Sequence, residues 1–360
     1  MKKLRLFISH GARFRGKPLK YLPNELRVLV WDNYPSQVLP PKFVRNQLRV
    51  FRMHNSLIKE LGGGEFKKLT RMELTGCNEL REISDLSSSS NLKELDILDC
   101  PKLVKVHKSV GSLGNLVSLI VGRCCELRSF PKSLKLRSLK QLFISNCKRL
   151  KDFPEIECEM ENVTTLSLHS TDLFSILFDC SDHGLKKLYL RGMNIDMLPS
   201  DMARFVRLTR LDLDDCKNLR EIPELPQNIK EISARGCRSL ERFSQLPKIL
   251  WQFNESGLQD LKEVDVTGCH NLVCDVPKTS MFQGYPADLR VIEYCGFYPV
   301  YMNDEEEAAK DKSKMLYEGV DSNLESHWER KRKYSSTFGT QISSLEDGND
   351  DAREEFDSKV

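Results

Sequence analysis

The 360-residue sequence predicts an α/β repeat solenoid, a horseshoe with a parallel concave sheet, followed by a disordered tail. Three observations predict it. A wording of the form LxxLxLxxC recurs about every 23 residues, the apolar letters of each LxL alternate with other residues, and a second apolar pair follows each cysteine at fixed offset.

The recurrence is clearest in four consecutive lines: Leu69, Met72, Leu74, Cys77; Leu92, Leu95, Ile97, Cys100; Leu116, Leu119, Val121, Cys124; and Leu139, Leu142, Ile144, Cys147. Looser lines start at Val163, Leu185, Leu208, Ile229 and Leu261. Two more, at Leu26 and Leu48, lack the cysteine, and a further one begins at Leu4. An LxxLxL core reiterated this often identifies leucine-rich repeats.

Each LxL is a short strand, because alternation sends both apolar side chains to one face and the intervening residue to the other. The cysteine falls where the chain leaves the strand. A small, weakly polar thiol fills such an interior corner at little desolvation cost, so Cys77, Cys100, Cys124 and Cys147 are expected in one buried row. The pairs Leu80 and Ile83, Leu103 and Val106, Leu127 and Phe130, Leu150 and Phe153, and Leu219 and Ile222 close the convex side. No repeat encloses this set alone, so burial comes from stacking neighbours.

Composition narrows the functional classes. The 55 basic and 52 acidic residues nearly cancel to a formal net charge of +3, which gives no reason to expect a nucleic-acid partner. Arg5, His10 and Arg13 interrupt the first apolar run, and no stretch approaches a membrane span, so a cytoplasmic or nuclear protein without a membrane partner is expected. Twelve cysteines in that compartment are expected to be reduced.

Candidate chemistry is sparse. Cys124 and Cys125, and the group Cys269, His270 and Cys274, lack the converging second half of a zinc site. Residues 179–184, DCSDHG, hold the letters of a catalytic triad, but adjacency in sequence is not a triad. Gly62, Gly63 and Gly64 join two repeats without GxxxxGK[ST] and are read as a turn. No enzyme, metal, cofactor or small-molecule substrate is expected.

The residues displayed between the leucines are the candidate site: Arg71, Glu73, Glu94, Asp96, Ile120, Arg123, Gln141, Phe143, His169, Lys187, Tyr189, Arg191, Arg210, Asp212 and Asp214, with Asp99 and Asp215 beside them. Ile120, Phe143 and Tyr189 among charges have the make-up of apolar anchors with a polar rim, as in a protein-binding surface.

The repeat domain is placed at 1–274. Residues 275–303 carry the strand-like PADLRVIEYCGFYPVYMND. Residues 304–360 form a polar tail, about 16 acids against about 9 bases, with the composition of disorder. Arg330 to Lys333 form a short basic cluster of the nuclear-localisation kind.

The wording of EFKKLTRMELTGCNELREISDL, NLKELDILDCPKLVKVHKSVGSL and YLPNELRVLVWDNYPSQVLPPKF resembles the repeat region of plant TIR-NB-ARC-LRR intracellular immune receptors. LRVIEYCGFYPVYMNDEE is similar to the last strand of their C-terminal jelly-roll/Ig-like domain, which makes 275–303 a remnant of it. The resemblance covers about residues 1–308. It implies recognition of pathogen effectors or guarded host proteins, or contact with a receptor's NB-ARC domain, in defence signalling. The residues of the TIR enzyme and of the nucleotide switch are not among these 360, so neither activity is expected of this chain. A substrate-recognition arm of a ubiquitin ligase is the alternative from another class; residues 1–25 are too short and repeat-like for its docking helices. A non-functional receptor fragment is the other.

Overall fold

Alternation of apolar and other residues is realised as a ladder of short parallel strands. The computed structural model describes residues 3–11, 21–62, 65–150, 155–156, 162–170, 184–246, 249, 260–273 and 290–292. Within them one 13-stranded sheet runs in chain order, each strand pairing in parallel with the next. Its members are Leu6–Ser9, Val28–Asp32, Val50–His54, Arg71–Thr75, Glu94–Leu98, Ser118–Gly122, Gln141–Ser145, Thr165–His169, Lys187–Tyr189, Arg210–Asp212, Glu231–Ser233, Glu263–Asp265 and Arg290–Ile292.

The register aligns the repeat letters. Met53, Leu74, Ile97, Val121, Ile144 and Leu168 are successive partners, and all are fully buried. Burying one such side chain stabilises by roughly 1.5–3 kcal/mol. Partners stand 21 residues apart from Leu211 to Ile232 but 32 apart from Ile232 to Val264, and the extra chain lies between strands.

Eleven strands follow the eleven lines of the repeat wording, and Leu6–Ser9 realises the line that begins at Leu4, pairing Phe7 with Leu29. Arg290–Ile292, within 275–303, adds the last strand by pairing Val291 with Val264. On the convex side, Glu82–Ile83 pairs with Lys105–Val106, Ser133–Leu134 with Glu155–Ile156, and Glu221–Ile222 with Arg242–Phe243. Turns of 3-10 helix at Lys108–Ser112 and Met202–Arg204 fill the arc elsewhere.

The cysteines occupy the predicted corner. Cys77, Cys100, Cys124 and Cys147, and then Cys216, Cys237 and Cys269, are all fully buried. Their thiols donate to carbonyls of the strand ends: Cys216 to Leu190 O at 3.0 Å, Cys237 to Leu213 O at 3.1 Å and Cys269 to Ala234 O at 3.0 Å. The neighbouring Cys124 thiol and burial push the Cys147 thiol up, so it stays protonated at neutral pH.

The residue just before each cysteine position turns the chain. Asn33, Asn55, Gly76, Asp99, Arg123, Asn146, Ser170, Gly192, Asp215, Gly236 and Gly268 all have positive φ, between 48° and 78°. Asn, Asp and Gly tolerate this left-handed conformation; Arg and Ser are the exceptions. From Asn33 to Gly236 the turn aims the N–H at the next repeat, as from Gly76 to Leu98 O at 2.9 Å and from Arg123 to Ser145 O at 2.9 Å.

A second inter-repeat device precedes the first leucine. The Asn91, Asn115, Asn162 and Asn228 side chains donate to Lys67 O, Ser90 O, Arg137 O and Val206 O one repeat back, at 2.7–3.0 Å.

The three-glycine turn retains Gly62 at φ +69°, while Gly63, Gly64, residues 180–183, Phe153, Cys274 and the tail 304–360 lie outside the described residues. Among those described, no helix is long and apolar enough to cross a membrane, and no three metal-ligating side chains converge.

Candidate protein-binding face

The strands display three outward rows. The middle row reads Arg52, Glu73, Asp96, Ile120, Phe143, Ser167, Tyr189, Asp212, Ser233 and Asp265, each the register partner of the next. On the concave side of a curved sheet, side chains converge over strands only about 4.8 Å apart. The middle row is therefore covered by its neighbours.

This corrects part of the expected surface. Ile120 and Phe143, read as exposed anchors, are 0% and 4% exposed, and Asp96, Asp212 and Asp214 are equally buried. Ile120 and Phe143 lie outside the main core cluster, on the opposite face of the sheet, where they pack as register partners. Tyr189 remains half-buried, with the Arg210 guanidinium 5.8 Å from its ring centroid. The accessible groups are those of the flanking rows: Arg71, Glu94, Gln141, Lys187 and Arg210 on one side, Arg123, His169 and Arg191 on the other.

Two ion-pair networks bracket the buried apolar middle. At the N-terminal end, Glu73 accepts from Arg71 Nε at 2.6 Å, with Arg52 Nε at 3.4 Å and His54 Nε2 at 3.8 Å; Arg71 also reaches Glu94 at 3.3 Å. His10 holds Asp32 at 2.9 Å, and His54 lies 3.8 Å from the same carboxylate. Burial works to raise the Glu73 pKa, but the adjacent His54 ring and the Arg71 and Arg52 guanidinium groups outweigh it and bring it down to about 2.

At the C-terminal end, Asp214 accepts from Arg191 at 2.6 Å, from Arg235 Nη2 at 2.8 Å and from Ser233 Oγ at 2.5 Å. These partners hold its carboxyl below the usual range against the cost of burial. Asp212 goes the other way. Burial and the Asp214 charge push it up, although Arg191 lies 3.6 Å away and the Asp214 N–H donates to it at 3.1 Å. Burial and the Arg191 charge lower the His169 pKa, which leaves its ring neutral at pH 7.

Sequence reading missed Arg52, His54, Asp32, Ser233, Arg235 and Asp265, which complete these networks. The signal was available: Arg52 sits between Phe51 and Met53 in a line without a cysteine, and register extends the displayed rows through such lines.

The protein is a leucine-rich repeat solenoid. Over that solenoid its relatives are plant TIR-NB-ARC-LRR disease resistance proteins. It is 32% identical over 227 residues to disease resistance protein RPP2A of Arabidopsis thaliana, covering 62% of this chain and 15% of that protein. It is 28% identical over 229 residues to TMV resistance protein N of Nicotiana glutinosa, covering 62% and 20%. Among solved structures, the leucine-rich repeat domain of the type III effector XCV3220 (XopL) aligns with TM-score 0.48 and 21% identity over 62% of this chain and 75% of that one. No family model matches the chain. The chain spans 15% to 26% of the length of the curated relatives it matches. The region matched is the repeat region of the resistance proteins, a non-catalytic fold.

Proposed function

We propose that this chain is a non-catalytic protein-interaction module of plant innate immunity, whose concave face recognises a pathogen effector or a guarded host protein. The observation that carries the reading is the layered make-up of that face. Its middle row is filled and its ion pairs are formed before any partner arrives, while Arg71, Glu94, Lys187 and Arg210 stand accessible along one edge. Preformed charge of this kind sets orientation and on-rate for a protein partner and rejects like-charged ones.

The test combines Lys187→Glu and Arg210→Glu in the full chain, co-expressed in leaf tissue with a panel of pathogen effectors, with pairwise binding of any responding effector measured in vitro. Binding of the responding effector should fall at least tenfold, and a convex control, Lys102→Glu, should leave it unchanged. Equal loss in the control, or no loss in the concave variant, removes this face as the recognition surface.

A further inference from the structure

On the convex side, the strand Lys105–Val106, the 3-10 turn Lys108–Ser112 and the strand Ser133–Leu134 enclose an open groove of about 860 Å³. Lys105 and Lys108 line one wall, Lys132 and Lys135 the other, with His107 on the first. Ser109, Ser112 and Ser133 add hydroxyls between them. Asp85 is the single acid among the lining residues; its carboxylate accepts from Ser87 N at 2.8 Å and lies 3.6 Å from His107 Nδ1.

Three of the four lysines have no carboxylate partner among the described residues. Nearby cations find carboxylates: Lys102 pairs with Glu79 at 2.6 Å and Arg149 with Glu126 at 2.5 Å. Among the described residues, Lys105, Lys108 and Lys132 have no such partner, and all three are exposed. Ammonium groups gathered beyond their carboxylate partners repel one another, a cost that an anionic ligand lowers.

The walls are fixed by backbone. Lys135 N donates to Gly111 O at 2.7 Å, and the turn and strand approach so closely that a Cβ on Gly111 would stand 2.2 Å from Ser133 O. His107 Nδ1 accepts the Ser109 N–H at 3.2 Å, which leaves the proton on Nε2 as a further donor. A site built this way loses little freedom on binding.

We propose that this groove binds a soluble, compact small molecule carrying several phosphoryl groups. The volume suits a small ligand. A single carboxylate would engage one lysine, whereas a multiply phosphorylated one engages both walls, and lysine binds phosphate as a point charge from a range of directions. The inference rests on the groove alone and is independent of the concave-face reading.

The test is calorimetric titration of the full chain with inositol hexakisphosphate as probe, repeated across a salt series. Binding should weaken steeply with salt, and Lys105→Ala with Lys132→Ala should weaken it at least tenfold, while the exposed lysine pair Lys93→Ala with Lys140→Ala changes it less than twofold. Unchanged melting curves establish that the variants are folded. Equal loss in both pairs marks diffuse attraction to a basic surface and overturns the proposal, as does an absence of heat. Binding to vesicles containing phosphoinositides without binding of the soluble probe also overturns it, by moving the ligand to a membrane surface.

Discussion

The Arg123 guanidinium clasps the Asp99 carboxylate of the preceding repeat, and both residues hold the left-handed conformation at φ +53°. Arginine is an unfavoured residue there, by about 1 kcal/mol against glycine. The ion pair offsets that cost between two partly exposed groups. Arg123→Gly should therefore change stability by no more than about 0.5 kcal/mol, whereas Arg123→Val, which loses the pair and adds a branch at Cβ, should lower it by about 1–2 kcal/mol. Thermal melts of the two variants decide it; equal losses would disprove the offset.

Glu73 should give the fold an acid-sensitive component. Its pKa in the folded chain, about 2, lies below its ordinary 4.5. The stabilisation is therefore complete above pH 4.5 and lost as pH falls toward 2. Glu73→Gln should cost roughly 3 kcal/mol at pH 7, and the gap from wild type should close between those two values. A gap independent of pH would mean that the carboxylate charge is not what stabilises.

Asp212 and Asp214 should respond in opposite directions to the same substitution. Asp212 has a raised pKa, so its ionised form is penalised in the folded chain above that pKa, and the penalty is relieved as pH falls through it. Asp212→Asn keeps an acceptor for the Asp214 N–H and should leave stability at pH 7 unchanged or higher. Asp214→Asn strands Arg191 and Arg235 and should cost about 2–4 kcal/mol. Denaturant titrations of both variants at pH 7 test the contrast.

Thiol accessibility should separate the eight cysteines among the described residues into two groups. Cys125 is exposed, whereas Cys77, Cys100, Cys124, Cys147, Cys216, Cys237 and Cys269 are buried. Site-resolved mass spectrometry after brief alkylation should find Cys125 labelled in the native chain and the seven others only after denaturant is added. Labelling of Cys100 at the rate of Cys125 would contradict the buried row.

The strand ladder and its buried row were legible because repetition averages out local ambiguity: a single LTRMELTGC admits several readings, but its recurrence fixes strand, corner and period together. The line from Leu4 and the strand at Arg290–Ile292 were harder. Their letters are few, and pairing to Val28–Asp32 and Glu263–Asp265 identifies them. The displayed rows were legible as positions but not as surfaces. Alternation places Ile120 and Phe143 opposite the core, but the crowding that buries them depends on sheet curvature and on neighbours a full repeat away in sequence. The left-handed row was written in the letters before each cysteine, Gly76, Asp99, Asn146 and Gly236 among them, and attention to the thiols hid it.

The uneven spacing of register partners has a consequence for how this chain tolerates change. Twenty-one residues or thirty-two separate adjacent strands, yet the inner rungs keep the same pairing. The outer arc works as slack and the inner sheet as a ruler of fixed pitch. An insertion after Leu246 should thus leave the geometry of the inner face as it was, while one residue added inside Gln141–Ser145 would turn the displayed side chains beyond it in that strand to the wrong side.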